Sequence, residues 1–186
     1  MMQCEQTEGL SVLEHGFQVA RYYNDLLKML SDKEHTSHYE WKLPEWADDP
    51  FIIASLLPLK DVLTYQIYHD CGKPLCFELD EQGRRHFPNH AEVSYQLWCS
   101  LNPDDDVAWL IRHDMDIHLA RAVDAESIAY TKFWATQLLT GLAELHANAA
   151  MFGGIESTSF KIKYKNLNKM GKRILSYRKT LLGETL

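Results

Sequence analysis

The 186-residue sequence has no run of about eighteen apolar residues, so nothing in it reads as a membrane-spanning helix. None of its four cysteines (Cys4, Cys71, Cys76, Cys99) stands in a C-x-x-C pair. That argues against a thiolate zinc site and suits free thiols in a reducing compartment. The opening MMQCEQTEGL lacks the basic start and apolar core of a secretory signal, so a cytoplasmic location is the expectation. Internal repeats and low-complexity stretches are also missing. With 46 % hydrophobic and 24 % charged residues, the chain is expected to form a single soluble domain with a proper core.

Acids are scarce near the end. Residues 161–186 hold eight Lys/Arg and one acid, a net +7, whereas residues 1–160 hold eleven against twenty-five, a net −14. This divides the chain into a body, 1–160, and a basic tail, 161–186. The tail either docks on the acidic body or meets an anion. Its first half, with Phe160, Ile162 and Tyr164 between Lys161, Lys163 and Lys165, alternates like a strand. Its second half reads as a short helix ending near Gly183.

What is plentiful is histidine, with nine residues. The stretch that organises them is Tyr68-His69-Asp70-Cys71-Gly72-Lys73-Pro74. An adjacent histidine and aspartate can close on one metal ion only where the backbone turns, and Gly72 and Pro74 supply that turn. The apolar run from Phe51 to Tyr68 predicts a helix, or one restarted at Pro58, that delivers the pair from the core.

Around this stretch the pattern is helical. Residues 10–31 read as an amphipathic helix capped by Ser11, with Leu10, Leu13, Phe17, Ala20, Leu27 and Leu30 as its apolar side. His35 and His38 follow three residues apart, neighbours on one face if that stretch is helical. Trp41 and Trp46 flank Pro44 and either pack on the core or line a pocket. Residues 77–88 suggest an exposed hairpin or loop around Gln82-Gly83. Asn89 and Glu92 form the signature of a capping box, which places His90 in a first helical turn. Asn102-Pro103-Asp104 ends that helix. A further one runs through Ala108 to Ala120 and carries His113, Asp114, Asp116 and His118. Its acids are costly to bury without compensation, which a metal would provide. The longest helix is expected from Ser127 to Met151, stopped by Gly153-Gly154.

These residues resemble the HD metal-dependent phosphohydrolase superfamily, over about residues 30–120. The pattern there is an early histidine, the HD pair, further histidines and a late aspartate. His35 or His38 stands for the first, 34 or 31 residues before His69, and His90 and His113 follow at spacings of 21 and 23. H-D-C-G-K-P resembles H-D-x-G-K-P, and Phe87-Pro88-Asn89-His90 resembles the segment of the third histidine. The late aspartate has Asp114, Asp116 and Asp124 as candidates, and Asn148 stands where an A-D-A would. The resemblance implies an all-α, HD-domain-like helical bundle. It implies one or two divalent ions (Mn, Fe, Co, Ni, Zn or Mg), held by His35 or His38, His69, Asp70, His90 and His113, with Asp114 or Asp116. Two ions are expected if His90 and His113 are ligands, with Asp70 bridging.

Imidazoles and carboxylates without thiolates suit metals that acidify a bound water for attack on phosphorus. Asp70 and Lys73 are the expected catalytic groups, Lys73 neutralising a phosphate oxygen. Arg84, Arg85, Lys161, Lys163 and Lys165 are candidate anion contacts. The expected substrate is a phosphorylated small molecule or nucleotide, or a nucleic-acid end. Two alternatives share the residue pattern: a di-iron oxygenase of the same superfamily, and a metal-binding module without catalysis.

Overall fold

A computed structural model describes residues 1–183. In chain order the elements are β1 (Glu5–Thr7), β2 (Leu10–Ser11), α1 (Val12–Ser31), α2 (Pro50–Ala54), α3 (Leu59–Tyr68), β3 (Glu78–Leu79), β4 (Arg85–His86), α4 (His90–Cys99), α5 (Asp106–Arg112), α6 (Asp116–Leu119), α7 (Ala125–Tyr130), α8 (Trp134–Met151) and α9 (Thr158–Leu181). Short 3-10 turns lie at Glu45–Asp48, Lys73–Leu75 and Ala122–Asp124. The described chain is therefore mostly helical, with two antiparallel two-stranded hairpins, β1–β2 and β3–β4. No helix among the described residues is long and apolar enough to cross a membrane. The residues form two compact units: residues 1–20 with 60–115, and residues 21–59 with 116–186. The body-and-tail boundary at 160/161 falls inside α9 instead.

In the first unit, α1 starts on a capping box: the Ser11 hydroxyl accepts from Glu14 N–H at 3.2 Å, and Glu14 accepts from Ser11 N–H at 2.9 Å. The buried side of the helix differs from the expected stripe. Val12, His15, Gly16 and Val19 are inside, while Phe17 is 44 % exposed. The reason is a backbone approach that pattern alone does not reveal. A Cβ on Gly16 would lie 2.3 Å from the Ile67 carbonyl oxygen, so α1 meets α3 where only glycine fits. A second such approach occurs at the HD turn. A Cβ on Gly72 would lie 2.4 Å from the Ser94 nitrogen, and Gly72 N–H donates to the Ser94 hydroxyl at 2.9 Å. The turn is thereby pinned to α4.

The run before the HD pair takes the restarted form, with α2 ending before Pro58 and α3 beginning after it. The hairpin around Gln82-Gly83 is present as β3–β4, with Gly83 at φ 73°. Asn89 does not cap α4 with its side chain. It sits in the left-handed region at φ 53°, and the Glu92 carboxylate accepts from Arg112 and Gln96 instead of closing a box. The helix expected over Ala108 to Ala120 is broken between α5 and α6, where buried Asp114 turns inward to accept from the Tyr65 hydroxyl at 2.6 Å.

In the second unit, α7, α8 and α9 pack together. The single helix expected from Ser127 to Met151 is two, α7 and α8. Thr131 is extended at ψ 153°, and its hydroxyl donates to the Ile128 carbonyl at 2.9 Å, closing α7. Both tryptophans pack within this unit, Trp46 buried and Trp41 half-buried. The Trp41 N–H donates to Asp25, and Trp46 is buried over Gly171 with its N–H on Asn168. The expected strand at Phe160–Lys165 is helical. Phe160 and Tyr164 fit either period, but Leu167, Met170 and Ile174 extend only the helical one, and they are buried. The last three residues of the predicted tail lie outside the described chain.

His146 anchors this unit. Its Nδ1–H donates to the Leu142 carbonyl at 2.8 Å, and its Nε2 accepts from Lys42 N–H at 3.1 Å. Trp41 and Phe160 lie around the ring. Burial disfavours the imidazolium and pulls the pKa down to about 4.

Two tests follow from this packing. Gly16→Ala is expected to cost about 1–3 kcal/mol in denaturant unfolding, as overpacked sites do, because the opposing atom is backbone. For His146, the folded pKa lies below the unfolded value of about 6.5, so its contribution is complete above pH 6.5 and is lost as pH falls toward 4. Over that window the unfolding free energy of the wild type should fall by about 3 kcal/mol more than that of His146→Leu. Equal slopes for the two proteins would count against a buried neutral ring.

Candidate metal centre

Three buried side chains of the first unit meet at the HD turn. One ligand atom from each of His15, His69 and Asp70 lies within 4.8 Å of the other two. The residues are 1 %, 2 % and 1 % exposed. The Gly16–Ile67 contact seats His15 here, edge-on to His69 with ring centroids 5.5 Å apart. Asp114 joins from α5's C-terminal side, its carboxylate within 4.8 Å of a ring nitrogen of His69.

The hydrogen bonds determine which nitrogens face the carboxylate. His69 Nδ1 lies 2.7 Å from the Gln66 carbonyl, and His90 Nδ1 lies 3.1 Å from the Phe87 carbonyl. A carbonyl oxygen only accepts, so both rings carry hydrogen on Nδ1. Each then turns Nε2 toward Asp70: His69 to Oδ2 at 3.2 Å, His90 to Oδ1 at 3.6 Å. Asp70 Oδ1 is buried without a hydrogen bond. Imidazoles oriented by carbonyls, with the other nitrogen aimed at a carboxylate, form the donor arrangement used to hold a divalent metal.

Burial by itself would raise the Asp70 carboxyl, but His69, Lys73 and His90 outweigh it and hold the group well below the usual carboxylate range. That direction favours the carboxylate form of Asp70 at neutral pH. Buried Lys73 supplies the compensating charge, its Nζ 2.5 Å from Asp70 Oδ2 and 2.9 Å from Gln6 Oε1 of β1. Cys71, next in the chain, is no thiolate: burial pushes it up to about 11. The thiol lies against the Ser94 carbonyl.

The residues expected at the site divide accordingly. His69, Asp70, Lys73, His90 and Asp114 come together in the first unit. His113 belongs to the same unit but stacks on Trp109, with centroids 4.0 Å apart. His35 is bound to Asp25 at 2.9 Å in the second unit, and His38 is exposed in a segment that is not helical. Asp25 also accepts from Ser37 and Trp41, so His35 belongs to a clasp that secures the chain after α1. Asp116 is exposed in the second unit, where Asp124 pairs with Arg121 and Asn148 donates to Glu144.

Arg84 is paired with Asp80 and Arg85 with Glu5, both on the surface of the first unit. An open cleft of about 540 Å³ lies beside the Arg85–Glu5 pair, lined also by Pro74 and Phe77 among others. Lys161, Lys163 and Lys165 are exposed on α9 of the second unit.

The histidine that meets His69 and Asp70 from earlier in the chain is His15, which is not among the residues expected from sequence. A signal was present: Val12, His15, Val19, Tyr22 and Leu26 share helical spacing, and a histidine in an otherwise apolar stripe needs a partner. Gln6, which holds Lys73, carried no comparable signal. Comparison of the chain with protein-family models, with curated proteins and with solved structures finds no match in any of the three.

Metal analysis of substituted proteins separates His15 from the two histidines expected from sequence, His35 and His38. His15→Ala should lower affinity for Mn or Zn by more than the ~10–100-fold typical of losing a group that only orients a ligand. His35→Ala and His38→Ala should leave it unchanged. The reverse order in equilibrium dialysis would place the ion elsewhere.

Proposed function

We propose that this chain is a metal-dependent phosphohydrolase of the HD type, acting on the phosphate ester of a nucleotide, another small phosphorylated molecule or a nucleic-acid end. The observation that carries the reading is the treatment of Asp70. Two imidazoles, each with Nδ1–H spent on a carbonyl, present Nε2 to the two oxygens of one buried, ionised carboxylate. His15, His69 and Asp70, with Asp114 beside His69, would hold one divalent ion, and His90 with Asp70 a further one. Ions held there supply Lewis acidity and a bound water acidic enough to serve as hydroxide near neutral pH.

The remaining work falls to the protein. The Gln66 and Phe87 carbonyls orient the two imidazoles, and Asp70 stands between their Nε2 atoms. Lys73 pairs with that carboxylate and is the cation nearest the centre, suited to neutralising charge that builds on phosphate oxygens. His90 is the open side: its side chain is 19 % exposed, against 2–3 % for Asp70 and His69. A substrate phosphate would arrive past it. Closure of His15, His69 and Asp70 behind it keeps bulk water from competing for the ligands.

The same closure favours a second reading, a module that holds metal without turnover. One experiment addresses both. The protein is loaded separately with Mn, Co, Ni, Zn, Mg and Fe, bound metal is counted, and phosphate release is followed from nitrophenyl phosphates and a nucleotide panel. The proposal expects metal-dependent release, abolished with bound metal in Asp70→Asn. Lys73→Met should retain metal and lose about 10²–10³-fold in kcat, the usual loss for one group that stabilises transition-state charge. Tight metal with no release from any ester would favour the module. Two irons with oxygen uptake would replace hydrolysis by oxidation.

A further inference from the structure

Helix α9 has a charged face that neither the metal centre nor the packing of its own unit uses. Its 24 residues include no aspartate or glutamate. Phe160, Tyr164, Leu167, Met170, Ile174 and Leu175 are buried. Several cations beside that stripe are matched within the unit: Lys161 with Glu156 at 2.7 Å, Lys172 with Glu45 at 2.9 Å and Lys179 with Asp49 at 2.7 Å.

Lys165, Lys169 and Arg173 are different. They are exposed and, among the described residues, have no acidic partner. They follow one another at i, i+4 and i+8, a ridge of the helix with a rise of about 6 Å per step. Like charges at this spacing repel and lower helix stability, and a line of external anions would relieve that repulsion. The next position on it is Tyr177, 41 % exposed, and Ile162, 58 % exposed, lies on the same side.

This face is not a membrane anchor, because the apolar stripe of α9 is already in the core and no apolar side remains for a bilayer. An acidic protein surface would match the charges but leave the ring without a role. A single polynucleotide strand offers evenly repeated phosphates for the cations and base planes for the tyrosine.

We propose that the Lys165–Lys169–Arg173–Tyr177 ridge of α9 is a binding track for single-stranded nucleic acid. The track is independent of the hydrolase reading and stands or falls without it. The test is fluorescence anisotropy of a labelled strand of about twelve thymidines with the full chain at low salt. Wild type should bind, with log K falling against log salt at a slope of about −2 for three phosphate contacts.

Lys165→Gln/Lys169→Gln/Arg173→Gln should lose at least about tenfold in affinity, with its melting temperature unchanged or raised by relief of repulsion. Lys165→Arg/Lys169→Arg should keep binding, which controls for folding. Tyr177→Ala should lose about fivefold or more. Absence of binding by wild type, or equal binding by the triple variant, would overturn the proposal. So would polyglutamate or anionic vesicles binding as tightly as the strand through the same three residues.

Discussion

A carboxylate that is 1 % exposed and ionised is the constraint on which the first unit depends. Removing such a charge from water costs several kcal/mol, and only close cations and donors repay it. Asp70 is met on all sides: Lys73 and the His69 ring at one oxygen, the His90 ring facing the other. Every element of the unit that approaches the HD turn brings one of these partners or fixes its orientation. A divalent ion among the imidazoles would answer the same electrostatic demand that Lys73 answers in part.

The partners arrive because backbone comes closer here than side chains allow. Gly16 lets α1 touch the Ile67 carbonyl, which carries His15 to His69. Gly72 lets the turn after Asp70 sit on α4, whose first residue is His90. The carbonyls of Gln66 and Phe87, each three residues before a histidine, then select the tautomer. Local chain geometry therefore determines the chemistry each ring presents, and the two glycine contacts determine where it is presented. The buried histidine of the second unit, His146, is spent on the Leu142 carbonyl and the Lys42 amide.

Sequence reasoning succeeded where a signal is local. The helical content, the hairpin at Gln82-Gly83, the Ser11 start of α1 and the break at Pro58 all depend on residues within one or two turns. It failed where a local pattern had two readings that distant contacts resolve. Phe160 and Tyr164 satisfy a strand and a helix alike, and burial of Leu167, Met170 and Ile174 selects the helix. Asn89 and Glu92 spell a capping box, but Arg112 and Gln96 claim the Glu92 carboxylate. His35 has plausible ligand spacing, but Asp25 holds it.

The sequence alone determined that His69 and Asp70 adjoin each other just before Gly72 and Pro74, that no C-x-x-C pair is present, and that positive charge is segregated toward the end of the chain. Each of these is composition or adjacency, which no fold can change. Only the tertiary structure decided that His15 comes to His69 and Asp70, that Asp114 rather than Asp116 turns toward His69, and that the basic segment is one helix with a buried side. Those choices depend on which residues, far apart in the chain, come within contact distance. They are governed by close backbone approach and by the cost of leaving a buried charge unmatched, and neither quantity is written at any single position.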